Sequence, residues 1–324
     1  MDVRRREFIT LIGAAALRPL AAAAQEPRRN YRIGFLVPTS RESPPVAALL
    51  DELRRNGFDQ GQNLTVLPDG FGYRNDQIER IAASLVAASP DAITAGPELP
   101  LRALQKATRT IPVVGMTEDM VGEGFAASLA RPGGNFTGVS LLTPELDGKR
   151  QEILIDAVPG LRKIALMADA NTATSAHLAQ LQTAAESRGL EVVLRSVAKR
   201  DDVIAVIRDV KAAGAQAINF LATPMFSVNA APFIAEVTNL RLASIYQWPE
   251  DAEGGALLSY GPRITDMYRL RGTITAKVLR GTAPADIPIE QPTKFELVVN
   301  LKTAKAIGVE VANNLLLRAD KVIE

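Results

Sequence analysis

The stretch RPGGNFTGVSLLTPELDGKRQEILIDAVPGLRKIALMAD (residues 131–169) decides the fold. It opens as a Gly-rich connection through Arg131, Pro132, Gly133, Gly134 and Asn135. A helical segment follows, opened by Thr143, Pro144 and Glu145. It closes in an apolar run, 164–167, that reads as a strand. The same strand signal stands earlier as YRIGFLV (31–37). The chain before 131 and the chain after 163 therefore carry two versions of one pattern. The stretch between them reads as the crossing from one lobe to a second lobe of like build.

Working outward, the first half alternates buried-strand runs at 32–37, 63–67, 91–95 and 112–116 with helical patterns at 46–56, 75–88 and 99–108. The second half repeats the order. Strand runs fall at 163–167, 190–196, 216–221 and 243–246, with helices at 173–188, 201–213 and 227–239 between them. Asn75 and Asp76 in one half, and Asp201 and Asp202 in the other, stand where helix caps belong. Strands alternating with helices of this length imply parallel sheets covered on both faces. A helix over 265–279, a proline-rich segment over 281–292 and a strand over 294–299 are too little for a third domain. The tail is expected to cross between the lobes twice more. The expected fold is α/β, with two doubly wound parallel-sheet lobes joined by a multi-strand hinge. Lobe one is expected at 25–140 plus about 262–290, and lobe two at 141–261 plus about 291–324.

Bulk properties narrow the function. The chain has 324 residues, 47% apolar and 23% charged, which suits two globular domains. A net charge of +1 gives no electrostatic case for nucleic acid. There is no cysteine, so disulfides and thiolate chemistry are excluded. One histidine, His177, argues against a histidine-rich metal site or a Ser-His-Asp triad, and reads as surface or packing. No cofactor or metal is expected. At the N-terminus, Arg4, Arg5 and Arg6 precede a short apolar stretch, and Ala22, Ala23 and Ala24 supply a small-residue cleavage site. Residues 1–24 therefore read as an export signal, with Arg5, Arg6, Glu7, Phe8 and Ile9 also fitting a twin-arginine type. The leader carries four arginines against Asp2 and Glu7, a net of +2, so its removal takes the chain from +1 to −1. The mature protein is expected to be periplasmic.

In open parallel sheets, ligands bind beyond the carboxyl ends of the strands. That rule selects Thr39, Ser40, Gly96, Glu98, Thr117 and Asp119 in the first lobe. In the second it selects Asp169, Asn171, Thr172, Thr223, Phe226, Gln247 and Trp248. Hydroxyls and carboxylates beside two aromatic rings suit a small polar ligand with an apolar part. For each hydroxyl singly, a helix cap is the competing reading, and for Trp248 it is core or rim packing. Gly133 and Gly134 belong to neither GxGxxG nor GxxxxGK[ST], so no phosphate loop is present.

Several words of the chain match a known family. They are Ile33-Gly34-Phe35-Leu36, Gly61-Gln62-Asn63, SLARPGGN (128–135), Thr137-Gly138-Val139, Ser259-Tyr260-Gly261, QPTKFELV (291–298) and NLKTAK (300–305). With these the chain resembles the periplasmic substrate-binding proteins of ABC transporters, in the branch linked to tryptophan and other aromatic amino acids. The resemblance covers nearly the whole chain. It implies a type I periplasmic binding fold, two lobes closing on a ligand at a hinge, a membrane permease as partner, a monomer and no catalysis. For an amino acid ligand, backbone N–H groups and the hydroxyls of Ser40 and Thr223 are the expected carboxylate partners, and Asp119 or Glu98 the ammonium partner. The chain departs from the family at the pocket. Gly96-Pro97-Glu98-Leu99 stands where Gly-Gly-Thr-Pro is usual, and Glu118-Asp119-Met120 where Gly-Asp-Pro is usual. The ligand is thus left as an amino acid or an analogue. The alternatives are a ligand sensor or an enzyme on the same fold.

Overall fold

The computed structural model describes residues 29–141 and 143–324. The expected export signal at 1–24 lies outside the described residues. The first half runs β1 (Tyr31–Leu36), α1 (Pro44–Arg55), β2 (Leu64–Val66), α2 (Ile78–Ala87), β3 (Ala92–Ala95), α3 (Glu98–Ala107), β4 (Val113–Thr117) and β5 (Phe136–Ser140). The second begins with α4 (Thr143–Ala157), β6 (Lys163–Asp169), α5 (Ser175–Glu186), β7 (Glu191–Val197), α6 (Val203–Ala212) and β8 (Ala217–Phe220). It continues with α7 (Pro224–Ser227), α8 (Ala231–Asn239), β9 (Ala243–Tyr246), α9 (Pro249–Glu253) and β10 (Leu258–Gly261). The chain ends with α10 (Ile264–Leu279), β11 (Glu296–Asn300), α11 (Leu301–Ile307), α12 (Asn313–Leu316) and β12 (Lys321–Ile323).

The strands form two sheets, ordered β2-β1-β3-β4-β5 and β12-β11-β10-β9-β8-β6-β7. The inner strands are buried almost throughout, as sheets covered on both faces require, whereas the edge strands β7 and β12 are mostly half-buried or exposed. Sequence explains the helices locally. Pro44 and Pro45 start α1, where a missing N–H costs nothing, and Gly57 at φ +87° ends it. In α2, Ile78, Ile81, Ala82 and Leu85 form one buried stripe at helical spacing.

The chain passes between the sheets three times. After β5 it enters α4. After β10 it returns as α10, which packs along α1 and against β3, β4 and β5. Residues 287–290 then line the free edge of β5, where Thr137 Oγ1 donates to the Ile287 carbonyl at 2.8 Å and Ser140 N to Glu290 at 3.0 Å. The last passage leads into β11.

Three features differ from the sequence reading. The second sheet is not wholly parallel, because β11 enters from the cleft end and runs antiparallel to β10. Strand β5 was hidden in the expected connection, since it is short and Gly138 interrupts it. Gly138 holds φ +146°, and a Cβ there would lie 2.0 Å from the Gly115 carbonyl oxygen. The Asn75-Asp76 and Asp201-Asp202 pairs do not cap α2 and α6 with their side chains. Each lies in a single 3-10 turn, Asn75–Gln77 or Arg200–Asp202, that feeds its helix. The two halves still share that device.

Candidate functional site

Parallel strands send their carboxyl ends to one edge of each sheet, and the crossings bring these two edges together. Contact between them is direct. Trp248 follows β9 of the second sheet, yet its ring is buried in the core cluster of the first, with Met267 and Tyr268 of α10. Glu118, which follows β4, feels the charges of Asp147 and Arg150 on α4.

On the first edge, the Thr39 hydroxyl is shielded and has no hydrogen-bond partner, while Ser40 is exposed. Gly96 lets β3 and β4 approach closely, since a Cβ would meet the Met116 carbonyl oxygen at 2.3 Å. The Glu98 carboxylate is engaged by Arg102 at 3.1 Å, one turn along α3. Thr117 is buried and donates to Glu123 Oε2 at 2.7 Å. Asp119 is exposed, and its Oδ1 accepts from the amides of Val121 and Gly122 at 3.1 and 2.9 Å. Both acids expected for an ammonium group thus already have partners.

On the second edge, Thr223 Oγ1 donates to Asp169 Oδ2 at 2.9 Å and also caps α7. Asp169 Oδ1 accepts from the Asn171 amide and side chain at 2.9 and 2.8 Å, so these three residues form one network. Thr172 is exposed. Phe226 lies in the core behind the edge, edge-on to Phe220 at 5.5 Å between ring centres. Gln247 is buried with its Oε1 unpartnered.

Sequence reasoning missed the charged centre of this region. Asp147 and Arg150 lie one turn apart on α4, with side chains 3% and 1% exposed. Arg150 Nη2 donates to Asp147 Oδ1 at 2.5 Å, and its Nη1 to the Tyr260 carbonyl at 3.1 Å. Asp147 Oδ1 also accepts from the Ala222 amide at 3.0 Å, and Oδ2 lies 3.0 Å from His177 Nε2. Half-buried His177 is thus part of the second edge. From the first edge comes Glu118, which as a residue keeps some exposure, though its Oε2 is shielded and unpartnered. Burial, with help from the negative charges of Asp147 and Glu123, pushes its carboxyl from 4.5 up to about 8. Neighbouring Glu123 is raised to about 7, again mainly by burial. Among the described residues no cluster of three or more His, Cys, Asp or Glu is arranged to hold a metal, and no helix is long and apolar enough to cross a membrane.

Two parallel-sheet α/β lobes that meet at their carboxyl edges, with the chain passing between them three times, define the type I periplasmic binding class of fold. The chain belongs to the ABC transporter substrate binding protein family, whose model matches residues 43–323. A tyrosine-binding protein of Clostridioides difficile is 25% identical over 289 residues, 87% of this chain and 82% of that one. A Streptococcus pneumonia ABC domain in complex with L-Trp superposes with a TM-score of 0.79 at 22% identity, covering 91% of this chain and all of the other. A ligand-free, open substrate binding protein with adhesive properties from Clostridium difficile gives 0.63 at 21%, covering 91% and 99%.

Proposed function

We propose that this substrate-binding protein is the exported receptor of an ABC importer for an amino acid or close analogue, which it holds between the two lobes and passes to a membrane permease. The observation that carries this reading is the Glu118 carboxyl. Its Oε2 is shielded and unpartnered, and its surroundings raise it toward neutrality. A ligand ammonium group beside it would offset that burial and return it to the charged form. Glu118 thus takes the role for which Asp119 or Glu98 was the expected candidate. The tyrosine and tryptophan ligands of the similar proteins carry such an ammonium group.

In this reading lobe one (25–140 with about 262–290) and lobe two (141–261 with about 291–324) close on the ligand. Thr39, Ser40, Gly96, Thr117, Thr223, Gln247 and Trp248 line the cleft, and the Asp169–Asn171–Thr172 loop stands at its rim. Closure follows if the ligand touches both lobes, because only differential binding shifts an open–closed equilibrium. The protein acts as a periplasmic monomer and leaves its ligand chemically unchanged.

The test is a thermal-shift screen of the protein amino acids and small aromatic acids, followed by titration of Trp248 fluorescence. Trp248 is the only tryptophan of the chain, so for ligands that do not fluoresce any change has one source. An amino acid should raise the melting temperature and be recovered intact, and Glu118→Gln should weaken it by about tenfold or more. If no amino acid or analogue stabilises the protein, or if Glu118→Gln binds as tightly as the parent, the reading is wrong.

A further inference from the structure

Two arginines among the described residues are wholly buried, and they differ in one respect. Arg150 has Asp147 as a counterion. Arg271, on α10, is 0% exposed and makes no salt bridge with any described residue. Its Nη2 donates to Thr94 Oγ1 and, at 3.1 Å, to the Ala95 carbonyl. Its guanidinium carbon stands 4.8 Å from the centre of the Tyr268 ring. Nε and Nη1 have no partner. Burial pushes its pKa down, and only Tyr268 acts the other way. A buried cation without an anion is strongly unfavourable, and the ring covers one face without satisfying the free N–H groups.

The position explains what the arginine is for. Side chains on a helix lean toward its N-terminus. The N-terminal end of α10, Ile264, follows directly on the crossing from Gly261, so Arg271 leans toward the cleft. Its partners confirm the direction, since Ala95 is the last residue of β3. Strand β1 pairs with β3, and just beyond its end the Thr39 hydroxyl is shielded and unpartnered. The end of β3 thus holds a guanidinium whose Nε and Nη1 have no partner, and beyond the end of the neighbouring strand lies a hydroxyl that has none.

We propose that Arg271 is the anion anchor of the lobe-one half of the cleft and takes the carboxylate of the ligand, with Thr39 as a second donor. This rests on the amino acid reading above and completes it. The ligand is held as a zwitterion, its ammonium group at Glu118 and its carboxylate at Arg271. Carboxylate recognition belongs to an arginine from α10 rather than to Ser40 and Thr223. The site therefore discriminates acids from the corresponding amines.

The experiment uses matched probes on the full mature chain. L-Tyrosine and L-tryptophan are compared with tyramine and tryptamine, which lack the carboxylate, and with 4-hydroxyphenylpropionate and indole-3-propionate, which lack the amine. Benzoate and acetate serve as simple carboxylates. Affinities and melting temperatures are measured for the parent, Arg271→Gln and Arg271→Met. Carboxylate-bearing probes should bind the parent at least tenfold more tightly than their amines, and both variants should lose that preference. Without ligand, Arg271→Met should melt at or above the parent temperature, because an unpaired buried charge is gone. A purely structural arginine would make the variant melt lower and leave the preference intact, which overturns the proposal. Amines binding the parent as well as acids also overturn it. If the propionates bind through Arg271 and the amino acids do not, the anion anchor stands and the amino acid reading falls. If amino acids bind the Arg271 variants unchanged, the reading stands and the anchor falls. If no carboxylate stabilises the parent, both are wrong.

Discussion

Replacing Arg150 by Met tests whether the buried pair on α4 holds the second edge together. Both side chains are almost completely shielded, and the pair is joined at 2.5 Å. Arg150→Met removes that bond and the one to the Tyr260 carbonyl. Asp147 is left with the Ala222 amide and His177. Breaking a buried pair from one side costs about 3–5 kcal/mol, because the surviving charge stays buried without compensation. At about 2–4 °C per kcal/mol for a domain of roughly 150–250 residues, the melting temperature should fall by about 10 °C. Asp147→Leu should cost a similar amount, since it strands Arg150 and the Ala222 amide. The double variant should recover much of the loss, as apolar replacements of buried pairs often do. The assay is a double-mutant cycle by urea denaturation, in which the deviation from additivity isolates the pair. A single-variant loss under about 1 kcal/mol, or strictly additive losses, would refute the reasoning.

Stability should fall as pH rises from about 5 to 8. Glu118, Glu123 and Asp251 are raised to about 8, 7 and 8, chiefly by burial, so across this range the folded state holds more protons than the unfolded one. Glu296 acts oppositely. Arg263 and then Lys294 hold it down at about 2, so its contribution is lost only as pH falls below 4.5. Melting curves across pH should peak near pH 4–5, and a flat or rising profile from 5 to 8 would contradict the assignment. Gly138→Ala should destabilise the first sheet by at least about 2 kcal/mol, since φ +146° is strained for alanine and its Cβ would strike the Gly115 carbonyl. Chemical denaturation within 1 kcal/mol of the parent would count against that packing. The mature chain should begin near Gln25, and intact-mass analysis of native protein that finds Met1 retained would dispose of the export signal.

Much of the fold was legible because its signals are local. Continuous apolar runs mark strands buried on both faces, and helical stripes with terminal Pro or Gly mark their partners. The rule placing ligands beyond strand ends selects loops on the facing edges of both sheets, but not the charges that distinguish them. Glu118 sits beside Asp119 in one turn, and nothing in their order says which is exposed. In the fold Asp119 turns to the amides of Val121 and Gly122, and Glu118 keeps an oxygen unpartnered. Asp147 and Arg150 could be seen as a one-turn pair on a predicted helix. Their burial depends on Ala222 and Tyr260, which lie 75 and 110 residues further along. Such distances are invisible to periodicity.

Arg271 shows what kind of signal would have helped. It falls in a helix whose buried set includes Met267, Tyr268, Gly272, Ile274, Thr275, Ala276, Val278 and Leu279. A charged residue inside such a set has to be paired, neutralised or functional. In the second lobe Asp147 and Arg150 pair with each other. Glu118 and Arg271 are an acid and a base that make no salt bridge with any described residue, and both come from the first lobe at the edge that meets the second. One lobe with two unmet charges of opposite sign is poorly arranged for stability alone. It is well arranged for a small zwitterion that supplies both counter-charges at once, with the second lobe closing over it.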